Sequence, residues 1–101
     1  MSVLSLTTTA REVFSGSGNL SSLNFKNGDS TGTVYLRNKQ VKRDTVTSSD
    51  YEWSLGPGGT LGLTRVNDGE SVIGPWQAIS TESGGIVLEI LPISKSGKGR
   101  R

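Results

Sequence analysis

A chain of 101 residues has room for one domain with one modest hydrophobic core. With no cysteine and no histidine it has no disulfide framework, none of the usual zinc sites and no Ser-His or Cys-His nucleophile pair. Its formal charge is only +2, from 11 Lys and Arg against 9 Asp and Glu, too small an excess to expect nucleic acid as the partner.

Hydrophobic residues make up 32% of the chain, glycine occurs 14 times, and Ser and Thr are frequent, whereas there are only two alanines. That composition suits short strands and tight turns rather than helices. The first residues carry no basic stretch followed by an apolar run, and nowhere do 18 apolar residues stand together, so neither a secretion leader nor a membrane-spanning helix is expected.

In chain order, residues 3–8 alternate weakly and read as an edge strand or extended arm. Val3, Leu4 and Leu6 are expected to pair there with another chain. Arg11-Glu12-Val13-Phe14 leads into a glycine-bearing connector at 15–19. Residues 20–26 form a strand with Leu23 and Phe25 on one face, and Asn27-Gly28-Asp29 is a hairpin signal before a strand at 33–37. Residues 38–44 make a polar, basic, projecting loop, which with Arg37 brings Lys39, Lys42 and Arg43 together.

From 50 to 55, Tyr51, Trp53 and Leu55 alternate with Glu52 and Ser54, so the large apolar groups share one face and Glu52 faces solvent. Gly56-Pro57-Gly58-Gly59 then turns the chain into a partner strand at 60–66. Asn67-Asp68-Gly69-Glu70 is another turn, residues 71–81 a strand interrupted by Gly74-Pro75, and Ser83-Gly84-Gly85 a further turn. Residues 86–91 are apolar on nearly both faces, as in a central strand of a sandwich or one covered by a neighbouring subunit. Trp53, Leu55, Leu61, Leu88 and Ile90 are the expected core.

About seven or eight strands at roughly ten-residue spacing predict an all-β domain, either an antiparallel β-sandwich or a jelly-roll-like small barrel. The domain spans residues 1–93, with an N-terminal arm over about the first ten residues. Residues 94–101, with Lys95, Lys98, Arg100 and Arg101, form a flexible basic tail.

The remaining candidates for chemistry are carboxylates. Asp50 with Glu52 and Asp68 with Glu70 stand at i, i+2, a spacing that in a strand places both on one face, where they suit acid-base work or a hard cation. Asp68 lies in an Asx-type turn and Glu52 alternates with core aromatics, so solvated structural roles are the stronger expectation. Trp53, Trp76, Tyr35 and Tyr51 suit a sugar- or base-stacking platform, but the alternation that holds both tryptophans argues for core packing. No enzyme activity, cofactor or metal is expected.

Val34-Tyr35-Leu36-Arg37-Asn38, the run from Tyr51 through Gly56-Pro57-Gly58-Gly59 to Leu61, Gly74-Pro75-Trp76-Gln77-Ala78 and Ile86-Val87-Leu88-Glu89 together resemble small structural proteins of tailed bacteriophages. The similarity covers roughly two-thirds of the chain, from Val34 onward, and rests on motifs that are each common in β-sandwiches. It implies a virion protein: a capsid decoration (cement) protein that binds and stabilises the head shell, or alternatively a tail or fibre component. A carbohydrate-binding β-sandwich is the rival class. The implied partners are the major capsid protein or another virion protein and further copies of the chain, with a trimer favoured. The residues expected to meet them are Val3, Leu4, Leu6, Arg37, Lys39, Lys42, Arg43, Lys95, Lys98, Arg100 and Arg101.

Overall fold

The computed structural model of the chain describes residues 2–15, 20–39, 42–64, 75–81 and 86–94. Eight strands run in the order β1 (Ser2–Leu6), β2 (Arg11–Phe14), β3 (Leu20–Asn27), β4 (Val34–Asn38), β5 (Trp53–Leu55), β6 (Thr60–Thr64), β7 (Trp76–Ser80) and β8 (Ile86–Ser94). They form two antiparallel sheets of four strands, β1-β8-β3-β6 and β2-β7-β4-β5, packed face to face as a β-sandwich rather than a closed barrel.

Period-2 alternation decides what lies between the sheets. Leu23 and Phe25 of β3, Leu63 of β6 and Ile86, Leu88 and Ile90 of β8 meet Val13, Val34, Leu36, Leu55, Trp76 and Ala78 of the second sheet. Trp76 has no exposed surface, and its ring centroid lies 5.0 Å from both Phe25 and Trp53, so one indole bridges the sheets. The expected core residues Leu55, Leu88 and Ile90 are buried, while Trp53 and Leu61 pack on the core from its margin.

The strands follow the sequence, but their connections do not. Gly56-Pro57-Gly58-Gly59 was expected to close a hairpin; instead β5 pairs with β4 in the second sheet and β6 with β3 in the first, so the turn carries the chain between layers. Asn27-Gly28-Asp29 likewise joins β3 and β4 across the sandwich. Both corners are held by Asn27, which is fully buried. Its side-chain amide donates to the carbonyls of Leu55 (3.0 Å) and Gly32 (3.2 Å), and its Oδ1 accepts from the Asp29 amide. Its own backbone exchanges hydrogen bonds with Gly58 and Gly59. The turn needs glycine at Gly58, where φ is +73°, and at Gly59, where a Cβ would come within 2.9 Å of the Gly56 carbonyl oxygen.

Three further expectations are corrected. The N-terminal segment is not an arm reserved for another chain: β1 pairs with β8 from Ser2↔Ile90 to Leu6↔Ile86, and Ser80 donates to the carbonyls of Leu6 and Thr7. Burial of Leu6 in the core is the physical reason. Arg11–Phe14, read only as the approach to a connector, is an edge strand on β7. Tyr51 does not share the inner face of Trp53 and Leu55; β5 begins at Trp53, and Tyr51 is exposed with its ring 4.5 Å from that of Tyr35. Of the expected tail 94–101, Ser94 ends β8 instead, while residues 95–101, connector residues 16–19, the expected turns at 67–70 and 83–85, and the strand portions 65–66 and 71–74 lie outside the described residues.

Candidate functional site

On the outer side of the second sheet the conspicuous residue is Arg37 of β4. Its neighbours along the strand, Leu36 and Asn38, alternate with it, so Arg37 points away from the core. It is nevertheless completely buried, because residues 42–52 fold back over it. Arg37 Nε donates to Glu52 Oε1 at 2.9 Å and Nη2 to Glu52 Oε2 at 3.2 Å, a bidentate pair; Nη2 also donates to Asp50 Oδ1 at 2.6 Å. Nη1 donates to the carbonyl oxygen of Asp44 at 3.0 Å. Every guanidinium nitrogen is engaged, which is the condition for holding this charge out of water.

The i, i+2 spacing of Asp50 and Glu52 does place both carboxylates on one face. The cation they bind is the chain's own. Hydrogen bonds from Arg37 and then from Lys42, whose Nζ lies 3.0 Å from Asp50 Oδ1, hold the Asp50 carboxyl below the usual carboxylate range. The same contacts, Asp50 first and Glu52 second, raise the Arg37 guanidinium further above its already high value. Glu52, expected to face solvent, is a structural ligand of Arg37. Around this clamp, the Val46 amide donates to Gln77 Oε1 at 2.8 Å and the Glu52 amide to the Leu36 carbonyl, and Val46 is buried. The loop is thus a lid built into the fold.

Arg37 was expected among the partner-binding cations and is instead sealed beneath the loop. Lys39 donates to the Arg43 carbonyl and Lys42 is paired with Asp50, each still partly exposed, while Arg43 is exposed. Of the N-terminal candidates, Leu6 is buried, Leu4 packs against the core and Val3 is 56% exposed. Lys95, Lys98, Arg100 and Arg101 lie outside the described residues. Trp76 faces the core and Trp53 packs on it, which leaves Tyr35 and Tyr51 as the outward-facing ring pair. Among the described residues no three Asp or Glu gather as a metal site, and no helix is long and apolar enough to cross a membrane.

The outer side of the first sheet is organised differently. Val87, Leu91 and Ile93 project from β8, and Val3 stands beside them on β1; their exposures run from 38% to 56%. The register places Val3, Glu89, Lys26 and Thr60 in one row across all four strands, with Leu91, Asn24 and Gly62 in the next. Because Gly62 has no side chain, an open depression of about 320 Å³ lies over β3, edged by Leu91, Asn24, Lys26, Thr60 and Glu89. Val87, Leu91 and Ile93 were missing from the expected contact residues, although the two-sided apolarity of residues 86–91 was the signal for them. Comparison with family models, with curated proteins and with solved structures returns no match.

Proposed function

We propose that this protein is a non-enzymatic structural protein that acts by docking on other proteins of a virion, in the role of a capsid decoration protein on shells of the major capsid protein. The observation that carries the reading is the outer face of the first sheet, where Val3, Val87, Leu91 and Ile93 stand exposed and Leu91 edges a depression. Exposed apolar side chains grouped on one sheet face in this way mark a contact site. The virion setting rests on the resemblance of residues 34–89 to phage structural proteins. The groups that other functions would use are engaged in the fold: Asp50 and Glu52 bind Arg37, and both tryptophans pack on the core.

Charge plays a secondary part in this role. The loop that covers Arg37 exposes Arg43 and Lys42 beside three carboxylates, Asp44, Asp50 and Glu52, with Lys42 already paired to Asp50, a surface of balanced sign that is poorly suited to clamping phosphates. The test is co-sedimentation of the purified protein with shells assembled from the cognate major capsid protein. Saturable binding and raised thermal stability of the shells are expected. No binding at saturating protein, or tight duplex-DNA binding with a steep salt dependence, would overturn the proposal.

A further inference from the structure

We infer that the outer face of the first sheet binds a second copy of this chain about a two-fold axis, with Lys26 of each copy opposite Glu89 of the other. This rests on reading that face as a contact surface, and it names the occupant.

Glu89 interrupts the exposed apolar row Val87, Leu91, Ile93 on β8, and Lys26 stands directly across from it on β3. Among the described residues neither takes part in an ion pair. The Glu89 carboxylate leans instead towards Gly28, where a Cβ would lie only 2.6 Å from Oε2. The patch therefore carries Lys26 and Glu89 side by side, with Val3, Val87 and Leu91 towards β1 and β8, Asn24, Thr60 and Gly62 towards β3 and β6, and the Asp29 carboxylate at its edge on the Val87 amide. In an isologous contact a patch meets itself, so a patch of one sign repels its copy, whereas a paired one of both signs attracts it twice.

The strand register relates shape to charge on this face. Asn24 faces Leu91 across the β3–β8 pair just as Lys26 faces Glu89. An axis lying along the face between β8 and β3 exchanges the two strands. The operation that sets Lys26 over the other copy's Glu89 therefore also sets Leu91 over the other copy's Asn24. That is where the depression floored by Gly62 lies, so ridge and hollow are related by the same axis as the two charges. A glycine inside a strand is a common mark of close approach by another surface. A two-fold pair is favoured here over the trimer that the phage resemblance implies, because a closed ring of three needs two different surfaces in contact.

The test uses the full chain in sedimentation velocity, with circular dichroism to verify folding. The wild-type protein should sediment at twice the mass of one chain. Lys26→Glu leaves two acids on the patch and Glu89→Lys two bases, so each variant alone should be monomeric, and their equimolar mixture should return to twice the mass. Leu91→Asp gives an independent reading and should also be monomeric. A monomeric wild-type chain, a dimeric single variant, or a mixture that stays monomeric would each overturn the inference. Shell binding separates this from the functional proposal: a monomer that decorates shells leaves that proposal standing and this one lost, and a dimer that ignores shells does the reverse.

Discussion

The two outer faces of the sandwich solve the same problem in opposite ways. Each sheet has one face in the core and one turned away, and on the second sheet the chain covers the outer face itself with residues 42–52, pinned by Arg37 to Asp50 and Glu52. On the first sheet, Val3, Val87, Leu91 and Ile93 stand exposed instead. A buried charge needs several well-aimed partners before it is tolerated, so the covered face is specified by a few polar contacts that fail together. Exposed apolar side chains need nothing from their own chain. The open face is therefore free to change without unfolding the protein, and the covered one is not.

The largest expected effect lies in the layer that both faces share. Trp76→Ala removes the indole between Phe25 and Trp53 and should lower the unfolding free energy by about 3–5 kcal/mol, measured by urea denaturation. Next comes Arg37→Ala. Because Asp50 and Glu52 are partly exposed and can regain water, the loss should be smaller, about 2–3 kcal/mol. It should be accompanied by faster amide hydrogen exchange at Val46 and Glu52, while the β3–β8 amides keep their protection. Equal loss of protection in both sheets would show that the lid and the sandwich are one cooperative unit.

Acid probes the same lid without mutation. The Asp50 carboxyl titrates lower in the folded chain than in the unfolded one, so its contribution is present above the unfolded value and is lost as pH falls through the folded one. Stability should be flat in this respect near neutrality and fall below about pH 4, with exchange at Val46 rising first. Asp50→Asn should flatten that acid limb. Smaller still is Leu91→Ser on the open face, expected to change stability by less than about 0.5 kcal/mol while weakening association, read by sedimentation. Gly62→Ala should be nearly neutral in stability, since its Cβ meets only the movable Asn24 side chain at 3.0 Å, yet it partly fills the depression and should weaken the same association.

Fold class and strand positions were legible because alternation is a local property: Leu23 with Phe25 and Val34 with Leu36 declare their inner face within a few residues. Connectivity was not legible. Asn27-Gly28-Asp29 and Gly56-Pro57-Gly58-Gly59 have the composition of hairpin turns, and only the buried Asn27 amide, reaching the carbonyl of Leu55 from 28 residues away, turns them into corners. The Arg37 clamp was half visible. The i, i+2 carboxylates stood out, but the cation that satisfies them comes from a strand 13 residues upstream of Asp50, a distance that no periodicity reports. β2 escaped notice because two of its four residues are charged and only Val13 is buried.

The strand order has a consequence for how the protein is made. Among the described strands, β4 and β5 are the only consecutive pair joined in one sheet, and β8, made after the other seven, lies between β1 and β3. Until it arrives, β1 has no strand to pair with and Leu23 and Phe25 lack the β8 side of their sheet. The first sheet therefore cannot assemble until β8 has been made, and folding should be slow for a domain of this size because nearly every pairing among the described strands is non-local. A messenger truncated anywhere before the codons of Ile86–Ser94 should yield no partial fold, only a chain for the proteases.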